Sequence, residues 1–121
     1  MDKQTFVVVG VSQDSKKYGH RIFRDMVYAG WKVYGVNPKG GKVEGHKLYP
    51  SIAELPVIPD TAVLVIPPQA AKELLPEIVQ KGIRHVWFQP GAESEDGITE
   101  AERLGLHVTH SACIMIRSGL W

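Results

Sequence analysis

Apolar residues fall along this chain in short clusters bounded by glycine, proline or polar residues, and the spacing inside each cluster separates strands from helices. Phe6-Val7-Val8-Val9 is a continuous run rich in β-branched residues, which suits a strand covered on both faces, as in a parallel sheet. Gly10 ends it. A polar loop, Val11 to Lys17, then leads into a segment starting near Tyr18, where Ile22, Phe23, Met26 and Val27 recur at helical spacing up to a stop at Gly30. Lys32 to Val36 reads as a second strand. Strand, helix and strand thus fill about 30 residues, the length of one βαβ unit with a right-handed crossover.

Residues 38–50 are rich in glycine and read as a loop, with a short piece of extended chain at Lys42-Val43. Ser51 followed three residues on by Glu54 has capping-box spacing and predicts a helix of one or two turns. Thr61 to Ile66 is a third buried strand, stopped by Pro67-Pro68. The amphipathic segment from Gln69 to Lys81 contains Pro76, which predicts a kink or a late start. Arg84 to Gln89 reads as a fourth strand. Ser94 is placed to cap a last helix carrying Ile98, Ala101 and Leu104, ended by Gly105. Leu106 to His110 is a fifth strand, and the tail from Ser111 is expected to run off it. Strands alternating with helices predict one α/β domain over residues 1–121: a Rossmann-like, doubly wound, five-stranded parallel sheet.

Composition adds limits. With 121 residues the chain is long enough for one proper core, and its single cysteine cannot form an internal disulfide. The first residues lack a signal-peptide core and no apolar run reaches the length of a membrane span, so a cytoplasmic protein without a membrane partner is expected. The net charge of +1 is unevenly spread: residues 1–47 carry nine Lys/Arg against four acids, and residues 48–121 carry five against nine. A basic first half suggests an anionic ligand. The chain has no basic run of the kind that tracks nucleic acid, so no nucleic-acid partner is expected.

In open α/β sheets ligands bind beyond the carboxyl ends of the strands, where the strand order reverses. Gly10–Gly19, Asn37–Lys42, Ile66–Pro68, Gln89–Gly91 and Ser111–Cys113 fall there. Gly10 at a helix N-terminus suits a phosphate, and the Ser12 hydroxyl can donate to one; the alternative is that Gly10 only makes the turn and Ser15 caps the helix. The loop is not a dinucleotide fingerprint, since Ser12 and Ser15 stand where the second and third glycines would be. Dinucleotide folds also place an acid after the second strand to hold the ribose diol. Here Asn37 is followed by Lys39 and Lys42, with no acid until Glu44. Two lysines welcome a phosphate on the ribose, which points to coenzyme A or to NADP; left unoccupied, the same lysines are simply solvated.

The order VVGVS with KYG, then VYGVNPKGG, VLVIPP, VWFQPGAES and ACIMI resembles the small CoA-binding domain proteins, which are similar to the N-terminal domain of the succinyl-CoA synthetase α subunit. The resemblance spans nearly the whole chain. It implies a Rossmann-like fold holding the nucleotide end of coenzyme A or an acyl-CoA. By that likeness Gly10, Ser12, Lys17 and Tyr18 would meet phosphate, and Asn37, Pro38, Lys39 and Lys42 would border the adenosine and its 3′-phosphate. Ile66 and Pro67 would line the adenine or pantetheine wall, and Gln89, Pro90 and Gly91 the far side. The synthetase's T-G-x-x-G turn and its ligase domain are missing from these residues, so binding carries over and ligase chemistry does not.

Cys113, at the end of the fifth strand, could meet the coenzyme thiol if a positive field from His110 lowered its pKa; otherwise it is a small apolar residue. His107, His110 and Cys113 do not compose a zinc site, because strand neighbours at odd spacing point to opposite faces and a fourth ligand is lacking. No nucleophile elbow or other catalytic constellation is present. The expected function is therefore a coenzyme A carrier, sensor or partner of an acyl-CoA enzyme. An NADP-dependent redox protein and an interaction subunit with a vestigial cleft are the alternatives, and either a homodimer or an enzyme partner is compatible.

Overall fold

The computed structural model describes residues 4–121. In chain order the elements are β1 (Thr5–Val9), α1 (Tyr18–Tyr28), β2 (Lys32–Val36), β3 (Lys42–Val43), β4 (His46–Tyr49), a 3-10 turn (Ile52–Glu54), β5 (Thr61–Leu64), α2 (Pro68–Lys81), β6 (His85–Phe88), α3 (Glu95–Arg103), β7 (His107–Thr109) and α4 (Ile114–Arg117). One sheet runs β3-β4-β2-β1-β5-β6-β7, parallel except where β3 meets β4. The order grows outward from β1 in both directions, as in a doubly wound sheet.

The continuous apolar runs are explained by burial on both faces. Val7, Val9, Ala62, Leu64, Val86 and Phe88 pack under α2 and α3. Phe6, Val8, Val63 and Trp87 face the other way, under Ile22, Phe23 and Met26 of α1 and Ile114 and Met115 of α4. Alternate residues of one strand therefore feed two cores. In β2, Gly35 makes room where a β-carbon would stand 2.6 Å from Leu48 and 3.1 Å from Phe23.

Several details differ from the sequence reading. The sheet has seven strands, not five: Lys42-Val43 and His46–Tyr49 form a hairpin on the two-residue turn Glu44-Gly45, and β4 adds parallel to β2 through Gly35–Leu48 and Val36–Tyr49. Both turn residues have positive φ, 51° and 76°, the pairing that matches strand twist. Strands this short, with a mostly polar edge, carry no readable alternation. The tail does not run off the sheet either; α4 folds back, leaving Ile114 and Met115 fully buried. Finally, α2 starts at Pro68 and continues through Pro76. Pro76 is exposed, where water can meet the carbonyl deprived of its partner. The Ser51 segment closes as a single 3-10 turn without a side-chain cap, whereas Ser94 does cap α3, accepting from the Gly97 N–H at 3.0 Å.

Candidate functional site

The strand order reverses between β1 and β5, and Gly10 sits at that point. Its φ is +102°, and a β-carbon there would lie 2.2 Å from the Val65 carbonyl oxygen and 3.0 Å from Ile66. Only glycine fits both the turn and the contact. The first turn of α1 presses on the same place: a β-carbon on Gly19 would stand 2.2 Å from the Gly10 carbonyl oxygen. Gly19 thus supplies the close helix–strand packing that the third glycine provides in a dinucleotide fingerprint, at a longer spacing. The N-cap of α1 is Lys17, not Ser15, and no side chain caps the helix or places an acid in its first turn.

The loop between β1 and α1 is held by its own side chains. The Ser12 hydroxyl accepts from the Asp14 N–H at 3.0 Å, and the Asp14 carboxylate accepts from the Lys16 N–H at 2.9 Å. The buried His20 lies 2.7 Å through Nδ1 from the Ser12 carbonyl; a carbonyl only accepts, so Nδ1 carries the hydrogen. Tyr18 does not point out of this loop.

The second loop is splinted to the first. The Asn37 side chain donates to the Val11 carbonyl at 2.7 Å and accepts from the Lys39 N–H at 2.8 Å, while Gly10 and Val11 both donate to the Val36 carbonyl. Gln13 spans the same gap from the other side: its Oε1 accepts from the Lys42 N–H at 3.3 Å, and its amide lies against Gly41, where a β-carbon would come within 2.4 Å. Pro38, Lys39 and Lys42 are exposed. Among the described residues, neither Lys17, Lys39 nor Lys42 has a carboxylate within ion-pair distance.

Beyond β5 and β6, Ile66, Pro67, Pro90 and Gly91 line one groove of about 410 Å³, floored by Val65 and Ala92. A larger cavity, about 540 Å³, opens where β2 and β4 part below Gly35, between Trp31, Tyr34, His46 and Tyr49; none of the candidate residues lines it.

Gln89 is fully buried. Its Nε2 donates to the Tyr18 hydroxyl at 2.9 Å and to the Cys113 sulfur at 3.4 Å, and its Oε1 accepts from the Ile114 N–H at 2.8 Å. The Tyr18 hydroxyl donates in turn to Cys113. Burial, then the neighbouring sulfur, pushes the tyrosine pKa up. Burial alone would raise the Cys113 thiol as well, but the hydrogen bonds from Tyr18 and Gln89, with those from the Ile116 and Met115 backbone, together outweigh it and bring the thiol below its ordinary range. His110 plays no part in this; it is exposed and bonded to the Ser111 hydroxyl.

The candidate residues therefore form three adjoining groups along the carboxyl edge: the Gly10 and Asn37 loops with their lysines, the Ile66–Gly91 groove, and the Tyr18–Gln89–Cys113 cluster. Sequence reasoning missed Gln13, Gly19 and His20. Only Gly19 carried a signal, as a glycine near a helix start.

A family profile described as CoA binding domain matches residues 4–119. The chain belongs to this CoA-binding domain family. The α subunit of ADP-forming acetate–CoA ligase II from Pyrococcus furiosus is 32% identical over 120 residues, covering 90% of this chain but 26% of that subunit. The ligase II of Archaeoglobus fulgidus is 33% identical over 82% of this chain and 15% of its own length. The chain thus spans about a quarter or less of these curated relatives. Among solved structures, a conserved hypothetical protein from Pyrococcus furiosus matches with TM-score 0.89 and 38% identity, covering 94% of this chain and 98% of that one. The dinucleotide-forming acetyl-coenzyme A synthetase 1 of Candidatus Korarchaeum cryptofilum matches with TM-score 0.76 and 26% identity over 88% of this chain and 26% of that enzyme. The resemblance read from the five loops is the family found. Among the described residues, no helix is long and apolar enough to cross a membrane.

Proposed function

We propose that this CoA-binding domain holds the nucleotide end of coenzyme A or an acyl-CoA, and does so as a module without chemistry of its own. One observation carries the reading: Lys39 and Lys42, free of carboxylate partners among the described residues, stand on the loop after β2 and at the start of β3, and Asn37 ties that loop to the Gly10 turn. Phosphates of the pyrophosphate would meet the uncapped start of α1, with Lys17 and the Ser12 hydroxyl beside it. The ribose phosphate would meet Lys39 and Lys42, and the apolar groove at Ile66, Pro67, Pro90 and Gly91 would take the flat or extended remainder of the ligand.

The lysine pair alone would accept NADP equally well, and family membership favours coenzyme A. The relatives support a role beside an acyl-CoA enzyme, because there the matching segment is one part of a much longer ligase. Titration calorimetry with coenzyme A, dephospho-CoA, NAD and NADP tests the reading. Coenzyme A should bind most tightly and dephospho-CoA more weakly by about tenfold, the worth of a charge-assisted contact. Equal binding of coenzyme A and dephospho-CoA would remove the role given to the lysines.

A further inference from the structure

Gln13 is exposed, yet its position is closely specified. The Gly40-Gly41-Lys42 turn has two positive-φ glycines, 66° and 101°, and so has little stiffness of its own. Among the described residues, its main-chain anchors beyond the strand ladder are Gly40 N–H to the Asn37 carbonyl and Leu48 N–H to the Gly41 carbonyl, both at 2.8 Å. Asn37 fixes the start of the turn through Lys39. Among the described residues, Gln13 is what fixes its end from across the site: the side-chain oxygen takes the Lys42 N–H at 3.3 Å while the amide lies where a Gly41 side chain would be, within 2.4 Å. Gly41 is thus the one residue that lets the amide lie flat on the turn.

We infer that Gln13 is a specificity-determining positioning residue, setting the preference of this site for a ligand with a phosphate on its ribose by holding the turn that carries Lys39 and Lys42 against the Gly10 loop. The inference rests on the coenzyme reading above. A lysine on a loose turn still attracts an anion, but it must be ordered at the moment of binding, and that ordering cost reduces the gain from the contact. A lysine whose backbone is already held loses less. Gln13 touches no part of the ligand in this role. Its removal should therefore act on the ribose phosphate and leave the rest of the binding intact.

The test compares wild type with Gln13→Ala and with Gln13→Asn, which keeps the amide but is one methylene too short to reach the Lys42 N–H. Calorimetry at one ionic strength with coenzyme A and with dephospho-CoA reads the ratio of the two affinities. Thermal melting reads stability, which should not move because the side chain is exposed. Both variants are expected to lose most of an approximately tenfold preference for coenzyme A, while dephospho-CoA binds within about twofold of wild type. Variants that keep the full preference, or that weaken toward both ligands in parallel, overturn the role of Gln13 and leave the coenzyme reading standing. A wild type that shows no preference overturns both.

Discussion

The Tyr18 hydroxyl donates to the Cys113 sulfur at 3.1 Å, joining the first turn of α1 to the residue that opens α4. Gln89, buried between them on the chain leaving β6, bonds to both. A polar cluster of this kind orders three segments at the carboxyl edge that share no sequence proximity. It also sets the acidity of the one thiol.

Tyr18→Phe removes the hydrogen bond that most strongly favours the Cys113 thiolate. The thiol, now held below its ordinary value of 9.0, should return upward. The rate of alkylation by iodoacetamide, followed against pH, should therefore show its midpoint moving to higher pH than in wild type. An unchanged profile would mean that the tyrosine does not govern this thiol.

Replacing Gln89 by leucine leaves the Ile114 N–H and the Tyr18 hydroxyl without their buried partner. The expected cost is about 1–3 kcal/mol, the usual penalty for an unsatisfied buried group. Denaturant unfolding measures it. Loss of less than about 0.5 kcal/mol would show that water or a shifted backbone takes over the vacated bonds.

Gly19→Ala should damage fold and site together. The added carbon would stand 2.2 Å from the Gly10 carbonyl, which is backbone and cannot swing aside. Moving α1 to relieve the clash should cost about 1–3 kcal/mol, in the range of overpacked cores. It would also carry the helix start away from the Gly10 turn, so coenzyme A affinity should fall with stability. Full stability with normal binding would show that the turn yields easily.

His85 makes the fold sensitive to acid. It lies half-buried, with Nδ1 3.1 Å from the Thr61 hydroxyl and Nε2 2.8 Å from the Thr109 hydroxyl. Burial, with a smaller contribution from His107, lowers its pKa below 6.5. The unfolded chain then binds the proton more readily than the native one, so the contribution of His85 is fully present above pH 6.5 and is lost as pH falls through the lower native value. The denaturant midpoint should drop between pH 7.5 and pH 5 in wild type, at about the pH where a histidine begins to charge. His85→Asn, which cannot charge, should show a shallower drop.

Much of this architecture was legible in one dimension, and for a plain reason. A strand buried on both faces is apolar along its buried length, so Phe6–Val9, Ala62–Leu64 and Val86–Phe88 stood out without any partner being known. Helices α1 and α3 carried the complementary signal, an apolar stripe with a glycine or a serine at the boundary. The lysines after β2 and the glycine after β1 were visible as residue types at strand ends, and the proposed anion site draws on them.

The hairpin of β3 and β4, the return of α4 and the cross-ties were decided only by tertiary structure. Short edge strands owe their existence to a neighbour, β2, whose free edge accepts them, and not to a pattern of their own. The tail returns as a helix over the core, where Ile114 and Met115 are buried and the buried Gln89 accepts the Ile114 N–H that starts it. Gln13, Gly19 and His20 acquire their roles from atoms far away in sequence or across a turn: the Lys42 N–H, the Gly10 carbonyl and the Ser12 carbonyl. Sequence alone determined the buried central strands and the longer helices, and it suggested which strand ends to consider for an anion, since burial and charge are local properties of residue type. Which loops meet, and which side chain bridges them, depended on distances that exist only once the sheet has assembled.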